Sequence, residues 1–124
     1  MAVETIWKIN GLELELDMSD YETAVKYEEA FARMAKEEKE RANDGNAADV
    51  IKSYAMLFYN LFDRLFGTGT SERLFDGKYN ARRCDEVYED FLGFVHKQNV
   101  ETQTRRAELV NKYRPNRAAR RAKK

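Results

Sequence analysis

Apolar and polar positions alternate along "TIWKINGLELELDM", and the alternation breaks once, at Asn10-Gly11. Asn-Gly between two alternating runs predicts a hairpin over residues 5–17, because both residues tolerate the positive φ of a type I′ turn. A two-residue loop sets the pairing: Ile9 faces Leu12, Trp7 faces Leu14 and Thr5 faces Leu16, all on one face. The other face sets Lys8 opposite Glu13 and Ile6 opposite Glu15. An isolated two-stranded hairpin is marginal in water, so its apolar face must be packed, with Trp7 buried beneath helices.

Beyond the hairpin the spacing changes to three and four. Tyr21, Ala24, Val25, Tyr27, Phe31, Met34 and Ala35 predict a helix over about 20–41, with Ser19 as cap and Glu22 closing a capping box. "NDGN" ends it, with Gly45 suited to a left-handed residue. The most apolar stretch, "VIKSYAMLFYNLFDRLFG", predicts a helix over 47–66 whose apolar residues wrap much of its circumference, the mark of a central element. Gly67 and Gly69 end this helix, Thr70 or Ser71 caps a short helix over 71–76, and "DGKYN" turns the chain into a last helix over 80–112. In that helix Cys84, Val87, Tyr88, Phe91, Leu92, Phe94 and Val95 form an apolar face. After it only Val100, Ala107, Leu109 and Val110 interrupt polar sequence, which predicts a second half that projects from the body or meets a partner. Pro115 stops regular helix. The fold class is α+β and predominantly helical: an N-terminal hairpin on three main helices and one short one.

Length and composition add that 124 residues with 43% hydrophobic content build one modest core, so residues 1–111 are expected to form a single globular domain. No basic segment followed by an apolar run opens the chain, and nowhere do 18 apolar residues follow one another, so neither a standard secretion signal nor a membrane span is expected. The single Cys84 excludes an internal disulfide and points to a reducing cytoplasm.

Candidate chemistry is sparse. Cys84 and His96 are the sole cysteine and histidine; twelve residues apart on one helix, they stand about 18 Å apart along its axis and form no nucleophile and base pair. Cys84 reads as a packing residue and His96 as a surface one. "GTGTSE" lacks the preceding strand and the lysine of a phosphate-binding loop. Asp85, Glu86, Glu89 and Asp90 read as a solvated face, since hard cations need six or more oxygens around one point. No catalytic residue, metal site or cofactor is expected, and the protein is not read as an enzyme. The aromatic run of the central helix, with Tyr54, Phe58 and Phe62, is a candidate apolar interaction surface as well as a candidate core.

Charge changes the picture most. The chain holds 22 basic and 22 acidic residues, yet residues 112–124 carry seven basic residues and no acidic one, leaving 15 basic against 22 acidic before them. Such a split marks a folded acidic body with a basic interaction arm. Arg114, Arg117, Arg120, Arg121, Lys123 and Lys124 are the candidate partner-binding residues, on a tail expected to be mobile. The tail docks on a protein, binds nucleic acid through phosphate neutralisation, or binds neither and only keeps the chain soluble; Tyr113 is the lone ring there, so base stacking is poorly supported and nucleic acid is a lesser reading than protein.

"WKINGLELELD", "LFDRLFGTGTSERLFDGKYNARRCDEVYEDFLGFV" and the ending "KYRPNRAARRAKK" together resemble a family of small proteins of tailed phages and prophages of Gram-positive bacteria that look like tail-assembly chaperones. The most specific part lies between Leu65 and Phe91. The resemblance implies a non-enzymatic role in virion morphogenesis in the cytoplasm of the infected host, with phage tail proteins as partners: the tape measure and, second to it, the major tail protein. It brings no catalytic or binding residue with it. The charge split also permits self-association, one subunit's arm on the next subunit's acidic body. The alternative is a small phage nucleic-acid-binding or host-inhibitory protein acting through the tail.

Overall fold

The computed structural model describes residues 3–41 and 45–113. Two strands, β1 (Ile6–Ile9) and β2 (Leu12–Glu15), are followed by α1 (Tyr21–Glu40), α2 (Ala47–Phe66), α3 (Thr70–Phe75) and α4 (Ala81–Tyr113). The fold is α+β and predominantly helical. The strands pair antiparallel with Trp7 opposite Leu14 and Ile9 opposite Leu12, and the Leu16 amide donates to the Thr5 carbonyl at 2.8 Å. Asn10 and Gly11 both take positive φ, 50° and 77°, as a turn matched to the twist of its strands requires. The Asn10 side chain also donates to the Leu74 carbonyl at 3.0 Å, tying the turn to α3.

Helix α2 is central: it packs against α1, α3 and α4. Ala55, Leu57, Phe58, Tyr59, Leu61, Phe62 and Leu65 are buried along it. Trp7 closes the core from the hairpin side, 2% exposed. Its ring stacks on Phe62 and Phe66, with centroids 5.6 and 5.9 Å away, and meets Phe91 edge-on at 5.1 Å. An aromatic ring of this size removes roughly 150–250 Å² from water and gains further from such ring geometry, so this one residue anchors the hairpin to two helices.

Helix ends differ from the expected ones in three places. Asp20, not Ser19, caps α1: its carboxylate accepts from the Thr23 amide at 3.0 Å and from the Thr23 hydroxyl. Both Thr23 donors meet Asp20 Oδ2, and Ser19 instead donates its amide to Asp17 Oδ1 at 3.0 Å. In α3 the cap position is held by Gly69 in the left-handed region, with no side-chain cap bond. Thr70 and Ser71 lie inside the helix, and Asp63 of α2 accepts the Ser71 amide at 2.9 Å. α1 ends on Arg41 in extended backbone, so Gly45, expected as the left-handed residue beyond that helix, does not cap it and takes φ 144°; α2 follows Asn46, whose side chain accepts from the Asp49 amide, and Asn80 accepts from the Arg83 amide as α4 begins.

Candidate interaction surface

Two polar anchors set the position of the hairpin on α4. Trp7 Nε1 donates to Asp90 Oδ1 at 2.7 Å. Eight residues further along α4, Gln98 is 2% exposed. Its carbonyl accepts the Met18 amide at 2.6 Å, and its amide donates to the carbonyls of Leu16 at 2.8 Å and Glu4 at 3.1 Å. One side chain thus grips both legs of the hairpin where they leave the sheet.

Gln98 is also the last buried residue of α4. Thr102 is half-buried, and residues 103–113 are all exposed. Val100, Leu109, Val110 and Tyr113 present 47, 44, 49 and 73% of their surface to solvent. The second half of α4 therefore forms an arm, bearing apolar side chains among Arg105, Arg106 and Lys112. At its root lies an open groove of about 480 Å³, mostly apolar, between Val3 and Thr5 on the hairpin leg and Thr102, Arg106 and Leu109 on α4, with Ser19 beside them.

The sequence-derived candidates fall differently. Phe58 and Phe62, read as part of an apolar interaction surface, are 3% and 0% exposed and belong to the core. The hairpin and α4 cover what a smaller core would have left open, since Phe62 meets both Trp7 and Phe91. Tyr54 is half-buried: its hydroxyl donates to Asp85 Oδ1, and Arg41 lies over its ring at 5.5 Å. The bond to Asp85, with burial, pushes the Tyr54 phenol up to about 12. Arg114, Arg117, Arg120, Arg121, Lys123 and Lys124 lie outside the described residues.

Asp85, Glu86, Glu89 and Asp90 are all exposed, as the sequence reading has them, and Asp85 and Asp90 in addition each accept a hydrogen bond from an aromatic side chain of another element. The missed signal was in the hairpin: a tryptophan on the buried face brings an N–H that needs an acceptor.

Chemically reactive groups are few. Cys84 is fully buried, and burial, with the Asp85 charge, pushes its thiol up to about 11, the reverse of an activated nucleophile. His96 is exposed. Among the described residues no three His, Cys, Asp or Glu side chains gather as metal ligands, and no helix is long and apolar enough to cross a membrane. A polar hollow between α1 and α2 is built on Glu37, which pairs with Arg64 through two bonds of 2.9 Å and accepts from Asn60 at 3.2 Å. That hollow is structural, because the pair joins the two helices.

No curated protein and no solved structure matches the chain. Residues 10–124, from the hairpin turn through the basic end, match the sequence profile of a family of unknown function, and the chain belongs to that family, DUF6673.

Proposed function

We propose that the protein is a tail-assembly-chaperone-like binding protein. It covers apolar helical segments of phage tail proteins, the tape measure first, during virion morphogenesis in the host cytoplasm. The observation that carries this reading is the arm of α4, where Val100, Leu109, Val110 and Tyr113 stand exposed beyond Gln98, the last buried residue of that helix among the described residues. Of these, Leu109, Val110 and Tyr113 share one side of the helix at three- and four-residue spacing and fit a partner helix, and the basic tail that follows adds attraction to acidic segments with little demand on their sequence. The similarity of "LFDRLFGTGTSERLFDGKYNARRCDEVYEDFLGFV" to phage proteins supports the choice of partner. A burial-raised thiol and an exposed lone histidine support binding over catalysis.

Co-expression with a candidate phage tape-measure protein tests the reading. The tape measure should stay soluble and co-purify with the full chain, and should be lost from the complex when residues 114–124 are deleted together with Val110→Asp. Absence of co-purification, or a complex indifferent to these changes, overturns it. A salt-sensitive gel shift with RNA or DNA in place of any captured tail protein would favour phosphate neutralisation by the tail instead.

A further inference from the structure

We propose that the groove at the root of the α4 arm receives Tyr21 of a second copy of this chain, so that two copies pair reciprocally. Tyr21 opens α1 with 81% of its surface exposed, the largest value among the exposed large apolar side chains. It is flanked by Asp20 and Glu22. The groove offers the complementary surface: apolar walls from Val3 and Leu109, with Arg106 at the rim. Asp17 also lines it, but its carboxylate is turned to its own Ser19 amide at 3.0 Å.

Charge decides among occupants. From residue 97 onward the chain holds ten basic and two acidic residues, whereas residues 1–96 hold 12 basic and 20 acidic. Two arms laid side by side would repel, and a basic tail folded into a groove rimmed by arginine would do the same. The acidic start of α1 attracts. Socket and plug are also neighbours on one surface, since Ser19 lines the groove and Tyr21 lies two residues on. A self-complementary patch of this kind closes as a two-fold pair, each copy giving its tyrosine and receiving the other's. This pairing goes beyond the capture of a tail protein, and a Tyr21→Ala monomer would still capture one through Leu109, Val110 and Tyr113.

Sedimentation velocity of the full chain over a concentration series up to about 100 µM reads the pairing directly. A monomer–dimer equilibrium is expected. Tyr21→Ala and Leu109→Asp, both at exposed positions, should each weaken it by at least roughly tenfold in Kd with the circular dichroism spectrum unchanged. Arg106→Glu should weaken it too, and adding Glu22→Arg in the same chain should restore it. A monomer throughout the series overturns the proposal. So does an association that survives both Tyr21→Ala and Leu109→Asp, since that would come from the basic tail, as does failure of the charge exchange to restore pairing.

Discussion

Replacing Gln98 by alanine removes three hydrogen bonds at once from the joint between hairpin and α4: to the Met18 amide, the Leu16 carbonyl and the Glu4 carbonyl. Leu16 is 3% exposed, so its carbonyl is left without water to replace the lost donor; the Met18 and Glu4 groups lie nearer the surface and recover part of their solvation. A net hydrogen bond is worth about 1 kcal/mol, and an orphaned buried group costs about 1–3 kcal/mol. Gln98→Ala should therefore destabilise the fold by about 2–4 kcal/mol. Urea denaturation followed by Trp7 fluorescence measures this, because Trp7 moves from the core to water on unfolding. Gln98→Glu is the sharper variant. At neutral pH it places a carboxylate against two carbonyl oxygens, with no proton to donate, and should cost at least as much as alanine. Burial raises its folded pKa, so its penalty grows as pH rises above the unfolded value of about 4.3 and shrinks below it, where the protonated acid donates to one carbonyl and accepts from Met18. Hydrogen exchange should report faster opening of residues 3–19 in both variants. A loss under about 0.5 kcal/mol for alanine, or a glutamate variant as stable at pH 7 as the parent, refutes the argument that this side chain holds the hairpin.

Arg64, through its hydrogen bonds, holds the Glu37 carboxyl below its ordinary value, so the pair's contribution is complete above pH 4.5 and is lost as pH falls through the lower folded value; acid unfolding of Glu37→Gln should show a flatter dependence in that range, and an unchanged profile would count against the pair. The Tyr54 phenol is raised to about 12, so its contribution is present below pH 10 and is lost as pH rises from there through about 12. Phenolate absorbance should show a late-titrating component that Tyr54→Phe reduces, and its persistence in full would refute the Asp85 bond. Cys84 should label with a thiol reagent only as fast as the body opens, and complete labelling on mixing in native buffer would contradict its burial.

Periodicity exposed the hairpin register and the bounds of α2 because each rests on a local rule: the Asn-Gly turn fixes pairing, and apolar spacing fixes a helix. What it left undecided depends on which side of an element meets which neighbour. Ser19 and Asp20 are both competent caps, and only the position of Thr23 in the fold settles that the second one serves. Asp85 and Asp90 are exposed, as read along α4, but nothing local places Tyr54 and Trp7 opposite them as donors. Phe58 and Phe62 could line a core or a groove until the hairpin is docked over α2. Gln98 had a usable signal. It continues the stripe of Cys84, Val87, Phe91 and Val95 at helical spacing, and a polar residue on a buried stripe needs partners.

The same stripe explains why the arm exists. Continued from Gln98 it reaches Thr102 and Leu109, so the face that buries α4 in the body runs on past the body's end. Helix continues there because Arg105, Arg106, Ala107, Glu108 and Leu109 are good helix formers, not because packing demands it. From Gln98 to Tyr113 the helix advances about 22 Å at 1.5 Å per residue, nearly three screening lengths of about 8 Å at physiological ionic strength. Lys112, near the far end, is consequently screened from the body's charges, whereas Arg106 at the root shares a groove with Asp17. The boundary between 20 acidic and 12 basic residues on one side and two acidic and ten basic on the other falls between residues 96 and 97, one residue short of the last buried side chain. A neutral chain thus divides along its sequence into an acidic and a basic part that meet beside Gln98. Loosening that joint should disturb the arm's orientation before it disturbs the arm's affinity for an acidic helix.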